Sequence, residues 1–230
     1  MYSSGELVHY HPDPEEAETL AEAPDGHNRP RDLHYSAASA ALLMAVQNDG
    51  GGAGSLLEYD LDSGDSEAHE PFDSRSPTAV TTSGEVTYVA GSAGMQDDEE
   101  VAVVVALDLS TGEEHWRVEL EDDTSRVTSL LKHGEGIYGM TTSGNLFSID
   151  TETQELTMES TDGGSGDLGV HRGQIYGSTE EKLFRLDPET LERELLVNDL
   201  GGDWFGWPDL VSDGCSLFVL QDSEILQVTP

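Results

Sequence analysis

Only ten basic side chains face 47 acidic ones in this chain of 230 residues, so the positions of the arginines are the first chemical signal. Arg29 and Arg31, then Arg75, then Arg126 fall in three similar polar segments, Asn28-Arg-Pro-Arg-Asp32, Asp73-Ser-Arg-Ser-Pro77 and Asp123-Thr-Ser-Arg-Val127. A fourth polar segment, Asp199-Leu-Gly-Gly-Asp-Trp-Phe-Gly-Trp-Pro208, carries Trp204 and Trp207. Guanidinium groups grip carboxylate, sulfate or phosphate through two parallel hydrogen bonds, and indoles offer flat apolar faces to sugar rings. Arg29, Arg31, Arg75, Arg126, Trp204 and Trp207 therefore make a candidate site for an anionic saccharide or a similar small acid. The competing reading pairs each arginine with a neighbouring aspartate and uses the two tryptophans to seal the last repeat.

Histidines give a weaker pattern. His9-Tyr-His11 puts two imidazoles on one face of a strand, a spacing compatible with metal binding, and His27 and His34 are near enough in sequence to converge on them. No third ligand is fixed by the sequence, and hydrogen bonding of these rings to acidic side chains is the simpler expectation. No metal is expected on this basis, and His9 and His11 are the nearest to candidates. His115, His133 and His171 form no constellation. The chain holds no phosphate-cradling glycine loop, no nucleophile elbow and no ordered serine–histidine–aspartate set, so no catalytic residue is assigned. Asp97-Asp-Glu-Glu100 lacks the spaced ligands of a calcium loop.

The elements that must position these residues repeat. A short apolar strand runs into an aspartate-centred turn at Asp60, Asp108, Asp150 and Asp187, with His11 and Thr229 taking that place in the end copies. Gly136-Ile-Tyr-Gly-Met-Thr-Thr-Ser-Gly-Asn-Leu-Phe-Ser-Ile-Asp150 aligns with Gln174-Ile-Tyr-Gly-Ser-Thr-Glu-Glu-Lys-Leu-Phe-Arg-Leu-Asp187. Each reads as strand, tight turn, strand, and each is flanked by two more short strands. A period of about 40–50 residues built from four strands predicts the blades of a β-propeller. The expected fold is all-β, a single propeller domain over 1–230. Its blades run about 31–72, 78–120, 125–160 and 167–197, with a partial blade at 1–23 and a last one at 207–230. Blades 1 and 2 carry enlarged turns between their second and third strands, at 48–54 and 92–100. The incomplete ends leave three closures open: five blades with a surplus strand, six blade positions with two imperfect blades, or a segment of a larger propeller. In such a ring the arginine segments lead into the innermost strands, so their side chains are expected at one mouth of the channel.

Ala106-Leu-Asp-Leu-Ser-Thr-Gly-Glu-Glu-His-Trp116 resembles the repeat of pyrroloquinoline-quinone-type propellers, in which the tryptophan docks one blade on the next. The other turns keep the aspartate without the tryptophan. Quinone-binding members use adjacent cysteines, whereas Cys215 is alone here, so no cofactor is expected. Over most of its length the chain is similar to uncharacterised propellers reading Gly-x-Ile-Tyr-Gly-x-Thr … Leu-Phe-x-x-Asp-Pro-x-Thr, which often accompany carbohydrate-processing proteins in bacteria and archaea. That resemblance implies the fold; the residues it shares are strand and turn positions.

Composition narrows the function further. No apolar run approaches the ~18 residues a spanning helix needs, and the N-terminus shows neither the basic stretch nor the apolar core of a signal peptide, which together predict a cytoplasmic protein without membrane insertion. Cys215 is expected as a buried structural thiol at a strand edge. A net charge of −37 excludes a basic footprint for nucleic acid. Carboxylates interleaved with strands resemble the pattern of proteins from salt-loving microbes. At molar salt the Debye length shrinks to about 3 Å and mutual repulsion is screened. The expected function is a non-enzymatic module binding a small anionic or carbohydrate ligand, or a protein partner, at the channel mouth. The alternative is a carbohydrate-active enzyme, a polyuronate lyase or glycosidase, acting at the same mouth. The charge reading makes a direct prediction: the melting temperature rises as KCl is raised from low to molar concentration, and an unchanged melting temperature across that range would contradict it.

Overall fold

Regular structure in the computed structural model is entirely β. It describes residues 5–230 except 14, 51, 93–100, 121–123, 125, 161–163, 201–208 and 222–223. The chain divides into two compact units, residues 1–122 and 123–230. In the first, β1 (Glu6–Pro12) and β2 (Glu15–Glu22) form a two-stranded hairpin. One blade follows as β3 (His27–Ser36), β4 (Ala41–Asn48), β5 (Ser55–Asp60) and β6 (Ser66–His69). The next is β7 (Pro77–Ser83), β8 (Val86–Gly91), β9 (Val103–Asp108) and β10 (Glu113–Glu119). The second unit holds β11 (Val127–His133), β12 (Gly136–Thr141), β13 (Asn145–Asp150) and β14 (Leu156–Ser160) as one blade. A second comprises β15 (Gly166–His171), β16 (Gln174–Thr179), β17 (Lys182–Leu186) and β18 (Arg193–Asn198). A three-stranded sheet of β19 (Leu210–Ser212), β20 (Leu217–Gln221) and β21 (Glu224–Val228) completes it. All of these sheets are antiparallel meanders, the blade topology of a β-propeller.

The repeated motif is explained by packing. Gly139 lies directly opposite Phe147 on the neighbouring strand, and Gly177 opposite Phe184. A Cβ at either glycine would collide with the facing ring. The glycine of Ile-Tyr-Gly thus makes the space that the phenylalanine of Leu-Phe fills. Within each unit, neighbouring blades then bury apolar faces on one another. Leu43, Leu56, Val80, Val89 and Val105 form one such interface in the first unit, and Tyr138, Met140, Leu168, Ile175 and Phe184 one in the second.

The recurring aspartates close the outer hairpins. The Oδ1 atoms of Asp60, Asp108, Asp150 and Asp187 each accept backbone N–H groups two and three residues on, at 2.6–3.2 Å. In all four, the residue four places after the aspartate donates its N–H back to the aspartate carbonyl. That residue has positive φ: Gly64, Gly112, Gln154 and Leu191 at 77°, 71°, 63° and 57°. Glycine is at ease there and Gln154 and Leu191 are not, which accounts for the Thr-Gly ending of the second-blade turn.

Two details differ from the sequence reading. β3 starts at His27, so Arg29 and Arg31 lie inside the innermost strand and not in a connection ahead of it. Two register shifts, between His27 and Arg29 and between Pro30 and Asp32, carry the strand past a proline that breaks its alternation. Cys215 is exposed, not buried. Asp213 accepts the N–H groups of Cys215 and Ser216, both at 2.7 Å, and the turn so formed lifts the thiol away from the sheet.

Hydrogen bonds hold these turn carboxyls below the usual carboxylate range. For Asp150 the largest contribution is the N–H of Thr153, and for Asp60 that of Ser63. A carboxyl whose value is depressed on folding contributes stability that is present above its unfolded value and lost as pH falls through the folded one. Asp150→Ala should therefore lower the melting temperature fully above about pH 4, the unfolded carboxylate range. The gap to wild type should narrow under stronger acid. A gap of constant size at every pH would remove the ionised carboxylate from the account of the turn.

Candidate functional site

In the first unit Arg29, Arg31 and Arg75 hold partners at one end of their blades, by the end of β4, the end of β8 and the start of β9. Arg29 Nε is bound to Asp49 Oδ1, and the Asn28 amide donates to Asp49 Oδ2 at 2.7 Å. The Asn28 hydrogen bond, with help from Arg29, holds the Asp49 carboxyl below its ordinary value. Arg31 donates from Nε and Nη2 to the side-chain oxygen of Gln47, the former at 2.9 Å. Arg75, entering the next blade, turns its Nη1 onto the carbonyls of Ser92 and Val101 at either end of the enlarged second-blade turn. The Arg75 carbonyl accepts the N–H of Gly54 at 3.1 Å, while Ser76 Oγ donates to the Gly52 carbonyl at 3.3 Å. Blade 1's enlarged turn is thereby tied to the entry of blade 2. These turns were the two irregular stretches in the sequence, and each is fastened by an arginine.

The remaining expected residues are placed differently. Arg126 belongs to the second unit, half-buried at the entry to β11, where its carbonyl accepts the N–H of Thr142 at 3.0 Å. Trp204 and Trp207 lie outside the described residues. Arg117, the fourth basic residue of positions 1–122, sits on the outer strand β10. It is paired with Glu114 at 2.6 Å, its guanidinium 5.9 Å from the centre of the Phe72 ring. In the second unit a groove of about 610 Å³ is lined by Phe184, Leu191, Leu195, Glu159, Lys182 and Arg193.

Histidines reach hydroxyls more often than carboxylates. His27 Nδ1 is 2.8 Å from Ser55 Oγ, His34 Nε2 is 3.0 Å from Thr82 Oγ1, and His171 Nδ1 is 2.8 Å from Ser212 Oγ. Burial pushes the His34 imidazole below its ordinary value. Only His69 pairs with an acid, Glu58, at 2.8 Å, among these four. His27 and His34 therefore do not join His9 and His11. The third group at that pair is Glu18, directly opposite His9 on the hairpin. One ligand atom from each of His9, His11 and Glu18 lies within 4.8 Å of the others.

A further set of polar groups is not legible in the sequence. Asp32 on β3 accepts the N–H of Val80 on β7 at 2.8 Å, and Asp167 on β15 accepts that of Leu210 on β19 at 2.9 Å. Ser129 on β11 does the same for Leu168 on β15 at 3.1 Å. Asp167 also accepts the Ser129 hydroxyl at 2.6 Å. The three residues occupy the same place on the innermost strands β3, β11 and β15, and each binds the inner strand of the following blade. The Asp-Leu dipeptide at 32–33 and 167–168 does not single them out, since it also occurs at 60–61, 108–109, 199–200 and 209–210.

No family model matches the chain, and no curated protein matches it. Solved structures do. The crystal structure of a mitotic checkpoint complex contains a chain that is 12% identical, with a TM-score of 0.63. That alignment covers 100% of this chain and 66% of the other. The extracellular domain of the putative one component system BT4673 from B. thetaiotaomicron is 11% identical, with a TM-score of 0.70, over 99% of this chain and 33% of that one. This chain thus spans two thirds of the length of the first and one third of the second. At such identities the likeness is one of fold, and the fold is the β-propeller.

Proposed function

We propose that this chain is a non-enzymatic binding module that takes an anionic saccharide on the rim formed by Arg29, Arg31 and Arg75. The observation that carries the proposal is the gathering of these three on one rim, out of four basic residues in positions 1–122. In the first unit this rim is where a uronate or sulfate group meets oriented donors. Gln47 and the carbonyls of Ser92 and Val101 hold the forks of Arg31 and Arg75 in place, which reduces the ordering cost of binding. Surface carboxylates that hold hydrated cations would suit such a module to high salt.

A thermal-shift comparison of uronate-bearing, sulfated and neutral disaccharides tests this. The acidic sugars should raise the melting temperature and the neutral ones should not. Arg31→Gln combined with Arg75→Gln should weaken acidic-sugar binding by more than about tenfold, since hydrogen bonds to charged groups contribute about 1.5–3 kcal/mol each. Arg117→Gln should leave it unchanged. The proposal fails if no acidic sugar stabilises the protein, or if the double variant binds as well as Arg117→Gln.

A further inference from the structure

We infer that the β1–β2 hairpin carries a transition-metal site, made by His9, His11 and Glu18 and suited to Zn²⁺. Strand geometry supplies the ligand set. His9 and His11 are two residues apart on β1 and so project from the same face of the hairpin. Glu18 is the direct partner of His9 across the ladder, and Glu16 that of His11. All four side chains therefore belong to one face. The His9 and His11 ring centres are 3.9 Å apart and tilted by 54°, so the imidazoles already crowd one point.

Their distances fit a metal. With Zn–N and Zn–O bonds of about 2.0–2.2 Å, tetrahedral ligand atoms lie roughly 3.3–3.6 Å apart. The three ligand atoms here fall within 4.8 Å of one another. Small side-chain rotations close that difference, and His9 and Glu18 are exposed enough to make them. Two imidazoles select zinc, copper or nickel over calcium and magnesium, which prefer oxygen ligands throughout. Glu18 supplies a negative charge, and the chain's net −37 attracts a dication to the surface. Glu16 or water would fill the fourth position.

The site has a structural consequence. Leu7 and Ala21 anchor the base of the hairpin against Met44, Val46 and Leu57 of the first blade. Beyond them, the outer half of the hairpin is exposed or half-buried, with His9, His11, Glu16 and Glu18 along it. A two-stranded ribbon is marginal by itself. A metal bridging β1 to β2 fastens this outer half by linking ligands from both strands.

Equilibrium dialysis of the full chain against Zn²⁺, with Mg²⁺ in large excess to occupy ordinary carboxylates, tests the site. The expected result is one retained Zn²⁺ per chain, lost in the His9→Ala, His11→Ala double variant and held more than about tenfold more weakly by Glu18→Gln. In the wild-type protein, Zn²⁺ should shift the ring resonances of His9 and His11 and leave those of His115 and His133 in place, a readout independent of whether any variant folds. Retention of no Zn²⁺ by the wild type, undiminished Zn²⁺ in the double variant, or unmoved His9 and His11 resonances would each overturn the assignment.

Discussion

A propeller blade is a small twisted sheet that cannot bury both faces by itself, so the fold stands on what joins one blade to the next. In this protein the apolar part of that joint is ordinary: leucine, valine, isoleucine and phenylalanine from neighbouring sheets. The polar part is more specific. Innermost strands run side by side without a shared ladder, which leaves backbone N–H groups facing the neighbouring blade. Asp32, Ser129 and Asp167 supply acceptors for Val80, Leu168 and Leu210. Without them, N–H groups on largely buried strands would lose their partners, at about 1–3 kcal/mol each. His34 with Thr82 and His171 with Ser212 repeat the theme between the same pairs of strands.

The acidity of the chain is thus partly put to structural use. Aspartates close the outer hairpins, join inner strands and, at Asp49, hold the rim arginine Arg29. In each case a carboxylate accepts hydrogen bonds that orient a turn or a neighbour. Most of the other acids are solvated surface, and their collective repulsion is what salt must screen. Against that background a few cations acquire meaning by location. Arg29 and Arg75 fasten the two enlarged turns of the first unit, and Arg31 binds Gln47 at the end of β4. The hairpin face with two histidines and two glutamates is a second departure from the repeat, unrelated to blade packing.

The strands are legible because short apolar runs alternate and end at Asp-x-x-Thr turns. β3 was foreshortened because Asn28-Arg-Pro-Arg reads as a loop: proline and two register shifts hide the strand from any period-two pattern. The apolar neighbours of Cys215 suggest a strand, while Asp213 two residues earlier sets a turn. The arginines were visible by spacing, but Gln47, Asp49, Ser92 and Val101 as their partners were not, since those contacts span 16 to 26 residues. Asp32 and Asp167 were hidden among 47 acids, where one more aspartate carries no information. His9 and His11 announced themselves; Glu18 required the register of the hairpin.

Hydrogen exchange at the Leu210 amide tests the joint between blades most directly. With Asp167 intact, that amide should exchange slowly, in step with the β19–β20 ladder it adjoins. In Asp167→Ala it should exchange faster by more than about tenfold, as expected for losing a hydrogen bond that contributes about 1.5 kcal/mol or more. Asp187→Ala, which disturbs only an outer turn, should leave Leu210 as slow as before. If Leu210 exchanges at the same rate with and without the Asp167 carboxylate, the blades are held by apolar contact alone and the central claim is wrong.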